Sequence, residues 1–338
     1  MKCISKWWTL ILSGLLVITL VAGCGSKSTE KAAAPGPKVI KMGHCHPPDS
    51  QFNLGAVKFA ELVAQKTNGQ VKIEVFHSNQ LGDEPELSEG VRMGTVDMAL
   101  FATGAVTKFE SKFNVFDLPF LFRDYAHADK VLSGEVGKYL SSELEKKDIK
   151  VLSFWESGFR HYVNNKRPVK SPDDLKGLKL RVPDWQVLTA TTKALGANCV
   201  PMPFGEVYLA CQQGVVDGQE GPVFAIKSAK MYEVQKYMVL DGHTYTPMLF
   251  TINPNVFKSL TPEQQKAVLE ASQEAGAYEK KLIRDKEVEE LAFLETQGKM
   301  IIERHPNNAA WREATKSVYA QFGDKIGKDL IQKVIDTK

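Results

Sequence analysis

The chain has 338 residues, of which 43% are hydrophobic and 25% charged, and a formal net charge of +3. That length accommodates two domains of ordinary size. The nearly balanced charge argues against a nucleic-acid or strongly acidic partner.

Lys2 and Lys6 open the chain, and Trp7 to Val21 form an apolar stretch without charge. Val21-Ala22-Gly23 then leads directly into Cys24. A short apolar run closed by small residues has the layout of a secretory signal peptide rather than a spanning helix. The cysteine after the small triplet gives it the lipoprotein form, so residues 1–23 are expected to be removed and Cys24 to be lipidated. Two acyl chains on Cys24 suffice for stable anchoring. A plain signal peptide that happens to end beside a cysteine is the alternative. Residues 24–37 read as a flexible tether. No second apolar run approaches spanning length, so the lipid is the expected membrane attachment.

From residue 39 onward short strands and helices alternate. Val39 to Met42 reads as a strand and is followed by a loop from His44 to Gln51. Leu54, Val57, Leu62 and Val63 stand at helical spacing within Asn53 to Lys66. Val71 to Val75 alternates as a strand, Glu84 to Met93 is a short helix, and Val96 to Phe101 is another strand. This rhythm is that of a parallel sheet flanked by helices. A second set begins with a strand at Val151 to Trp155 and a helix start at Ser171-Pro172-Asp173-Asp174. Leu178 to Val182 follows as a strand, Trp185 to Leu195 as a helix ended by Gly196, and Glu206 to Gln213 as a helix. Val215 to Asp217 is expected as a strand and Pro222 to Met231 as a helix. Met238 to Leu240 and Met248 to Asn253 are two further strands. Thr261-Pro262-Glu263-Gln264 is a capping box opening a helical pattern that runs to Gln297. At about 36 residues, roughly 54 Å, this helix outreaches one small domain. It fits a strut across two lobes better than a coiled coil, since no heptad is sustained. The expected fold is α/β: two lobes joined by crossing strands and braced by one long helix.

Cys45, Cys199 and Cys211 are an odd set, which argues against a full disulfide framework. Free thiols are the expectation, with a Cys199–Cys211 bridge as the alternative. Cys45 lies between His44 and His46, but no second ligand cluster completes a metal site, so neither metal nor other cofactor is expected. The chain lacks a Gly-x-Ser-x-Gly elbow, a His-Glu-x-x-His helix, a P-loop and a dinucleotide fingerprint, which moves weight from catalysis toward binding.

Arg181 is the leading candidate ligand residue. By alternation alone it shares the outer face of its strand with Lys179 and is an ordinary exposed arginine. Its position argues otherwise, because it ends a strand, and open α/β sheets bind ligands outside the carboxyl ends of strands. A guanidinium there offers two parallel N–H donors to a carboxylate. Arg160, beyond the Val151–Trp155 strand, is a second cation near it in the sequence. Trp155, Phe159, Trp185, Phe204 and Tyr208 gather near these arginines, with core packing as the competing role for Phe204 and Tyr208.

From Asp174 through Arg181-Val182-Pro183 the chain resembles the DctP-type solute-binding subunit of tripartite ATP-independent periplasmic (TRAP) transporters. Pro201-Met202-Pro203-Phe204-Gly205-Glu206-Val207-Tyr208, Asp217-Gly218-Gln219-Glu220, Gln80-Leu81-Gly82 and Phe116 to Phe122 carry the resemblance further, as does the long helix. It covers residues 38–338. The resemblance implies a two-lobed periplasmic-binding-protein-like fold with a ligand cleft. Residues 38–157 plus 246–285 would form the first lobe and 158–245 plus 286–338 the second. It implies that Arg181 clamps a carboxylate, that Arg160 is a second ligand arginine, and that Phe204 packs on the ligand. His44 and Glu84 fall in loops that can line the cleft. The family commonly has Asn-Pro after Asp-Gly-Gln-Glu, and this chain has Gly221-Pro222. With Gly221 there, and Trp185 four residues after Arg181, the expected ligand is bulkier than a four-carbon dicarboxylate: an aromatic or branched oxo acid. The expected partners are a small organic carboxylate, the permease subunits of a TRAP transporter, and the membrane through the lipid. A sensing receptor for carboxylates is the runner-up, and an anchored enzyme using Glu206 or His44 is the alternative from another class.

Overall fold

The computed structural model describes residues 36–306 and 308–338. The expected signal peptide, Cys24 and most of the tether lie outside the described residues.

The first part of the chain builds β1 (Lys38–Gly43), α1 (Gln51–Lys66), β2 (Val71–Phe76), α2 (Glu84–Met93) and β3 (Met98–Ala102). Two 3-10 turns then lead to α3 (Tyr125–Ser133) and α4 (Glu135–Glu145). The second part holds β4 (Lys150–Asn164), β5 (Lys179–Val182), α5 (Gln186–Ala194), β6 (Asn198–Pro201), α6 (Val207–Gln212), β7 (Gly218–Gly221) and α7 (Val223–Ser228). β8 (Tyr237–Ile252), α8 (Pro254–Lys258), α9 (Pro262–Thr296), β9 (Ile301–Glu303), α10 (Asn308–Ile326) and α11 (Lys328–Asp336) complete it.

Local chemistry sets the element starts. Ser50 caps α1 by accepting from the Asn53 N–H, and Asp83 with Glu86 forms a capping box on α2. Thr261 and Gln264 cap α9 reciprocally, with Pro262 at its first position, as the motif predicts.

The strands form one mixed sheet in the order β2-β1-β3-β8-β4-β7-β5-β6, with β9 on β8. β4 and β8 run antiparallel through its middle and belong to both halves. One end of β8 pairs β3, and its other end pairs β9. Irregular register at Glu156/Gly158 and Arg160/Tyr162 marks the passage from one half to the other. Gly158 has φ +87 there, a conformation that disfavours any side chain. α9 packs along α1, β4 and α7, reaching elements of both halves. The strut expected from its length is therefore present.

Several readings differ from the structure: the strand expected at Val151–Trp155 runs on to Asn164, so Arg160 lies within it, and Ser171-Pro172-Asp173-Asp174 opens only a 3-10 turn, Pro172–Leu175. The two strands expected at Met238–Leu240 and Met248–Asn253 are the ends of the single β8. Its middle, Asp241-Gly242-His243-Thr244, breaks the apolar pattern, and Asp241 and His243 pair with each other inside the protein. The strand expected at Val215–Asp217 begins at Gly218 instead, and Val215 is half exposed. α3, α4 and α10 are not foreseen from the sequence. α10 and α11 bury Val318, Phe322, Ile326, Leu330, Ile331 and Val334 in the cluster that holds Leu140 and Leu144 of α4. Among the described residues no helix is long and apolar enough to cross a membrane. Cys45, Cys199 and Cys211 are free thiols.

Candidate functional site

The strand ends and the crossing strands converge on one cleft. β5 delivers Arg181, β7 delivers Gln219, Glu220 and Gly221, and β4 delivers Ser157 and Arg160. From the other half come Cys45 and His46 after β1, Glu84 at the start of α2, and Ala102 at the end of β3. Trp185 and Phe204 close the sides. The inner chamber is about 40 Å³ and opens into a groove of about 460 Å³. Both are lined by Glu84, Arg181, Pro183, Trp185 and Phe204. The chamber alone has room for water only, whereas the groove is of ligand size. A ligand on Arg181 would sit where the two meet.

Arg181 is 3% exposed, although alternation places it beside solvent-facing Lys179. β5 is paired on both edges by β6 and β7, and at its carboxyl end the side chains of the other half, Cys45, His46 and Glu84, cover the face that carries Arg181, while Lys179 on the same face stays exposed. Its Nε–H donates to the Met202 carbonyl at 2.9 Å, and among the described residues it forms no ion pair. Burial pulls its pKa down to about 10, even though Glu220 opposes that shift; neighbouring Arg160 adds to it. A buried guanidinium held by one carbonyl is short of acceptors for its remaining N–H groups.

Arg160 is in the opposite condition. Its Nη2 donates to Glu220 Oε1 at 2.7 Å and its Nε to the other carboxylate oxygen, a bidentate pair. Burial alone would raise Glu220, but Arg160 outweighs it and holds the carboxyl at about 2. The guanidinium also lies 5.3 Å from the Trp185 ring centre. Behind Glu220, His243 Nδ1 lies 2.7 Å from Asp241 Oδ2. His243 Nε2 stands 3.5 Å from Glu220 Oε2 without forming a hydrogen bond. Burial would lower His243, yet Asp241 and Glu220 raise it to about 9. The charge of Arg160 is thus answered within the protein, and that of Arg181 is not.

Glu84 faces the chamber, its Oε1 accepting from the Ala102 N–H at 3.0 Å. Burial, with Asp83 adding to it, pushes its carboxyl up to about 7. Trp185 is 6% exposed and lies flat on Gly104, where an added Cβ would fall 2.2 Å from the ring. At Gly221 an added Cβ would meet nothing nearer than the Gln219 amide at 3.5 Å.

Two candidates stand outside the cavity. His44 is buried behind it, with Nε2 3.1 Å from Asn53 Oδ1 and Nδ1 accepting from the His46 N–H. Tyr208 points to the surface, donating its hydroxyl to Glu233 at 2.6 Å. His46 and Gln219 line the chamber without having been expected there. His46 stacks on Phe204 at 4.6 Å, and burial lowers its pKa to about 3, which leaves the imidazole neutral. Its Nδ1 has no partner. His46 follows the end of β1, so the strand-end argument made for Arg181 points to it as well. Gln219 pairs in register with Arg181, which only the sheet order reveals. Contacts joining the two sides of the cleft include His46 on Phe204, Trp185 on Gly104, and the Gly205 N–H donating to Asp83 Oδ2 at 2.9 Å. Among the described residues no three His, Cys, Asp or Glu side chains gather as metal ligands do.

Residues 42–325 match the family model DctP, described as bacterial extracellular solute-binding protein, family 7. The chain is 40% identical over 265 residues to the 2,3-diketo-L-gulonate-binding periplasmic protein YiaO of Escherichia coli, covering 78% of this chain and 80% of that one. It is 36% identical over 307 residues to the C4-dicarboxylate-binding periplasmic protein DctP of Rhodobacter capsulatus, covering 88% and 90%. A TRAP periplasmic solute-binding protein from a Polaromonas species, bound to D-erythronate, superposes with TM-score 0.87 at 34% identity, over 89% of this chain and 99% of that one. The sugar acid binding protein DctPAm of Advenella mimigardefordensis, in complex with galactonate, gives TM-score 0.87 at 33% identity, over 89% and 98%. With the matched residues spanning both halves of the sheet and the cleft between them, the chain belongs to the DctP family of TRAP solute-binding proteins, a two-lobed periplasmic family that binds small organic acids.

Proposed function

We propose that this chain captures its organic acid by seating the carboxylate on Arg181 at the mouth of the inner chamber and hands the closed complex to a TRAP permease. The observation that carries this is the asymmetry of the two arginines. Arg160 already has a carboxylate in Glu220, while Arg181 is buried with a single carbonyl acceptor. A ligand carboxylate accepting from the free guanidinium N–H groups supplies the missing partner. Phe204, stacked on His46, covers one side of that position. The Gln219 amide stands beside it, where the family's asparagine is replaced by Gly221. Ligand contacts to both sides of the cleft favour closure, and the permease reads the closed form. No bond is made or broken.

Space beside Gly221 favours a chain with a branch or ring next to the carboxylate, so a branched or aromatic oxo acid is the finer reading. Trp185 supports it less than its position in the sequence suggests, since its ring is packed on Gly104. The proteins of similar structure were solved with D-erythronate, pantoate, galactonate and succinate, all of them carboxylates. A thermal-shift screen of organic acids on the full chain, run beside Arg181→Ala, tests both levels. An acid at a hundredfold excess over its dissociation constant adds about 2.7 kcal/mol to the parent. The same acid should leave the variant unmoved. An equal response from the variant would remove Arg181 from the site. Succinate or malate binding more tightly than every larger acid would end the finer reading alone.

The anchor belongs to the same proposal. Lipid attached at Cys24 would hold the protein at the outer face of the membrane, with the permease within reach. Labelled palmitate should enter the parent in cells and not Cys24→Ala; label retained by the variant contradicts it.

A further inference from the structure

Within the reading that Arg181 holds the ligand carboxylate, the charges around the cleft constrain the rest of the ligand. We propose that this site selects singly charged carboxylates over dicarboxylates, because the protein answers the second arginine itself and turns acidic side chains toward the ligand's far end.

The cleft contains two guanidinium groups, which at first sight suit a dianion. Arg160 is withdrawn from that role: it is 7% exposed, forms a bidentate pair with fully buried Glu220, and lies over the Trp185 ring. Glu220 is backed in turn by His243, and His243 by Asp241. This chain of alternating charges closes on itself and leaves no net positive charge for a second carboxylate. Pulling Arg160 onto a ligand would strip Glu220 of its bidentate partner in a buried setting, which is strongly unfavourable.

The opposite wall is acidic. Glu84 lines both the chamber and the groove, fixed by the Ala102 N–H, with Asp83 next to it at the groove. Deeper in the protein, Asp117 is fully buried and neither of its carboxyl oxygens has a hydrogen-bond partner. A second carboxylate on the ligand would have to approach Glu84 and Asp83, and like charges at close range are disfavoured. A hydroxyl or carbonyl group would not. A hydroxyl can donate to Glu84, and a carbonyl can accept from it when the carboxyl is protonated. His46, neutral with an unpartnered Nδ1, provides a further uncharged polar contact. The substrate class is therefore a hydroxy- or oxo-monocarboxylate with a polar, uncharged end remote from Arg181.

The test is isothermal titration of the full chain in detergent at constant ionic strength and pH 7.5. Ligands are taken as matched pairs that differ by one charge: D-gluconate with D-glucarate, and succinamate with succinate. Branched and aromatic oxo acids, D-erythronate and malate extend the panel. The singly charged member of each binding pair should be tighter by at least about tenfold, reflecting like-charge repulsion at Glu84. Glu84→Gln keeps the side-chain oxygen that accepts from the Ala102 N–H and removes the charge, so it should narrow that ratio. A dicarboxylate as the tightest ligand, lost in Arg181→Ala, would overturn this inference while leaving the carboxylate clamp standing. A ratio unchanged in a folded Glu84→Gln would also overturn it. No heat from any acid would remove the clamp itself, and this inference with it.

Discussion

At the scale of single residues, the cleft is governed by which charges find partners inside the protein. Glu220 is the hub, since it holds Arg160 directly and faces His243 at 3.5 Å. His243, raised to about 9 from an ordinary value near 6.5, gives this hub a pH signature. The folded state binds the proton more tightly than the unfolded one, so the contribution is fully present below pH 6.5. It is lost as pH rises toward 9. The loss is on the order of 3 kcal/mol, because each tenfold gain in proton affinity is worth about 1.4 kcal/mol. Urea midpoints of the ligand-free chain should therefore fall between pH 6.5 and 9, and His243→Gln should flatten that slope. An equal slope in the variant would show that His243 is not the titrating group. The residue scale is also where the sequence is least legible. Arg181, Arg160, Phe204, Trp185, Gly221 and Glu84 all line the cavity, yet alternation alone sends Arg181 to solvent. Alternation assumes that one face of a strand is wet, and here a second half-molecule covers that face. His44 and His46 share one strand-end loop, and only the hydrogen bond to Asn53, invisible in the sequence, turns His44 away from the cavity.

At the scale of elements, most of the order is readable because local signals agree. The capping box at Thr261, Pro262 at the first helical turn, and Gly298 beyond the end bound α9 to within about a residue, as such signals allow. β8 reads as two strands, because its polar middle imitates a loop. Two of its polar groups are held by contacts distant in sequence: Asp241 accepts from the Tyr162 N–H, and the His243 carbonyl accepts from the Phe120 N–H. The strut itself makes a sharp prediction at Gly276. Trp155 is fully buried and stacked on Phe250 at 4.5 Å, and its Nε1–H donates to the Ser272 carbonyl of α9. A Cβ at Gly276 would fall 2.7 Å from that indole, and one at Gly55 2.8 Å from its other edge. Alanine in a helix interior ordinarily gains about 0.5–1 kcal/mol over glycine. Overpacking against a ring that cannot retreat costs about 1–3 kcal/mol, so Gly276→Ala should be net destabilising. A raised melting temperature would mean that α9 slides freely on Trp155, contrary to the role of a fixed brace.

At the scale of the whole molecule, one sheet threads both halves, and the cleft opens where its two long strands pass from one to the other. That arrangement suits closure, because the irregular register around Gly158 and the strand ends that line the cleft lie together. The alternation of strands and helices announces two α/β lobes, and the length of α9 announces that something must span them. The contacts that join the sides of the cleft cannot be read ahead, since Asp83 to Gly205 and Trp185 to Gly104 link segments far apart in sequence. Everything proposed for the ligand depends on Arg181 being the carboxylate's partner. Calorimetric titration of the tightest acid into the parent, Arg181→Lys and Arg181→Ala examines that pairing alone, with the methyl ester of the same acid as control. Truncating one partner of a buried charge pair costs about 2–5 kcal/mol, or roughly thirty-fold to several thousand-fold in affinity. Arg181→Ala should show that loss, lysine with its single point charge a partial one, and the ester no binding. Unchanged affinity in Arg181→Ala, or an ester that binds like the acid, would contradict the pairing.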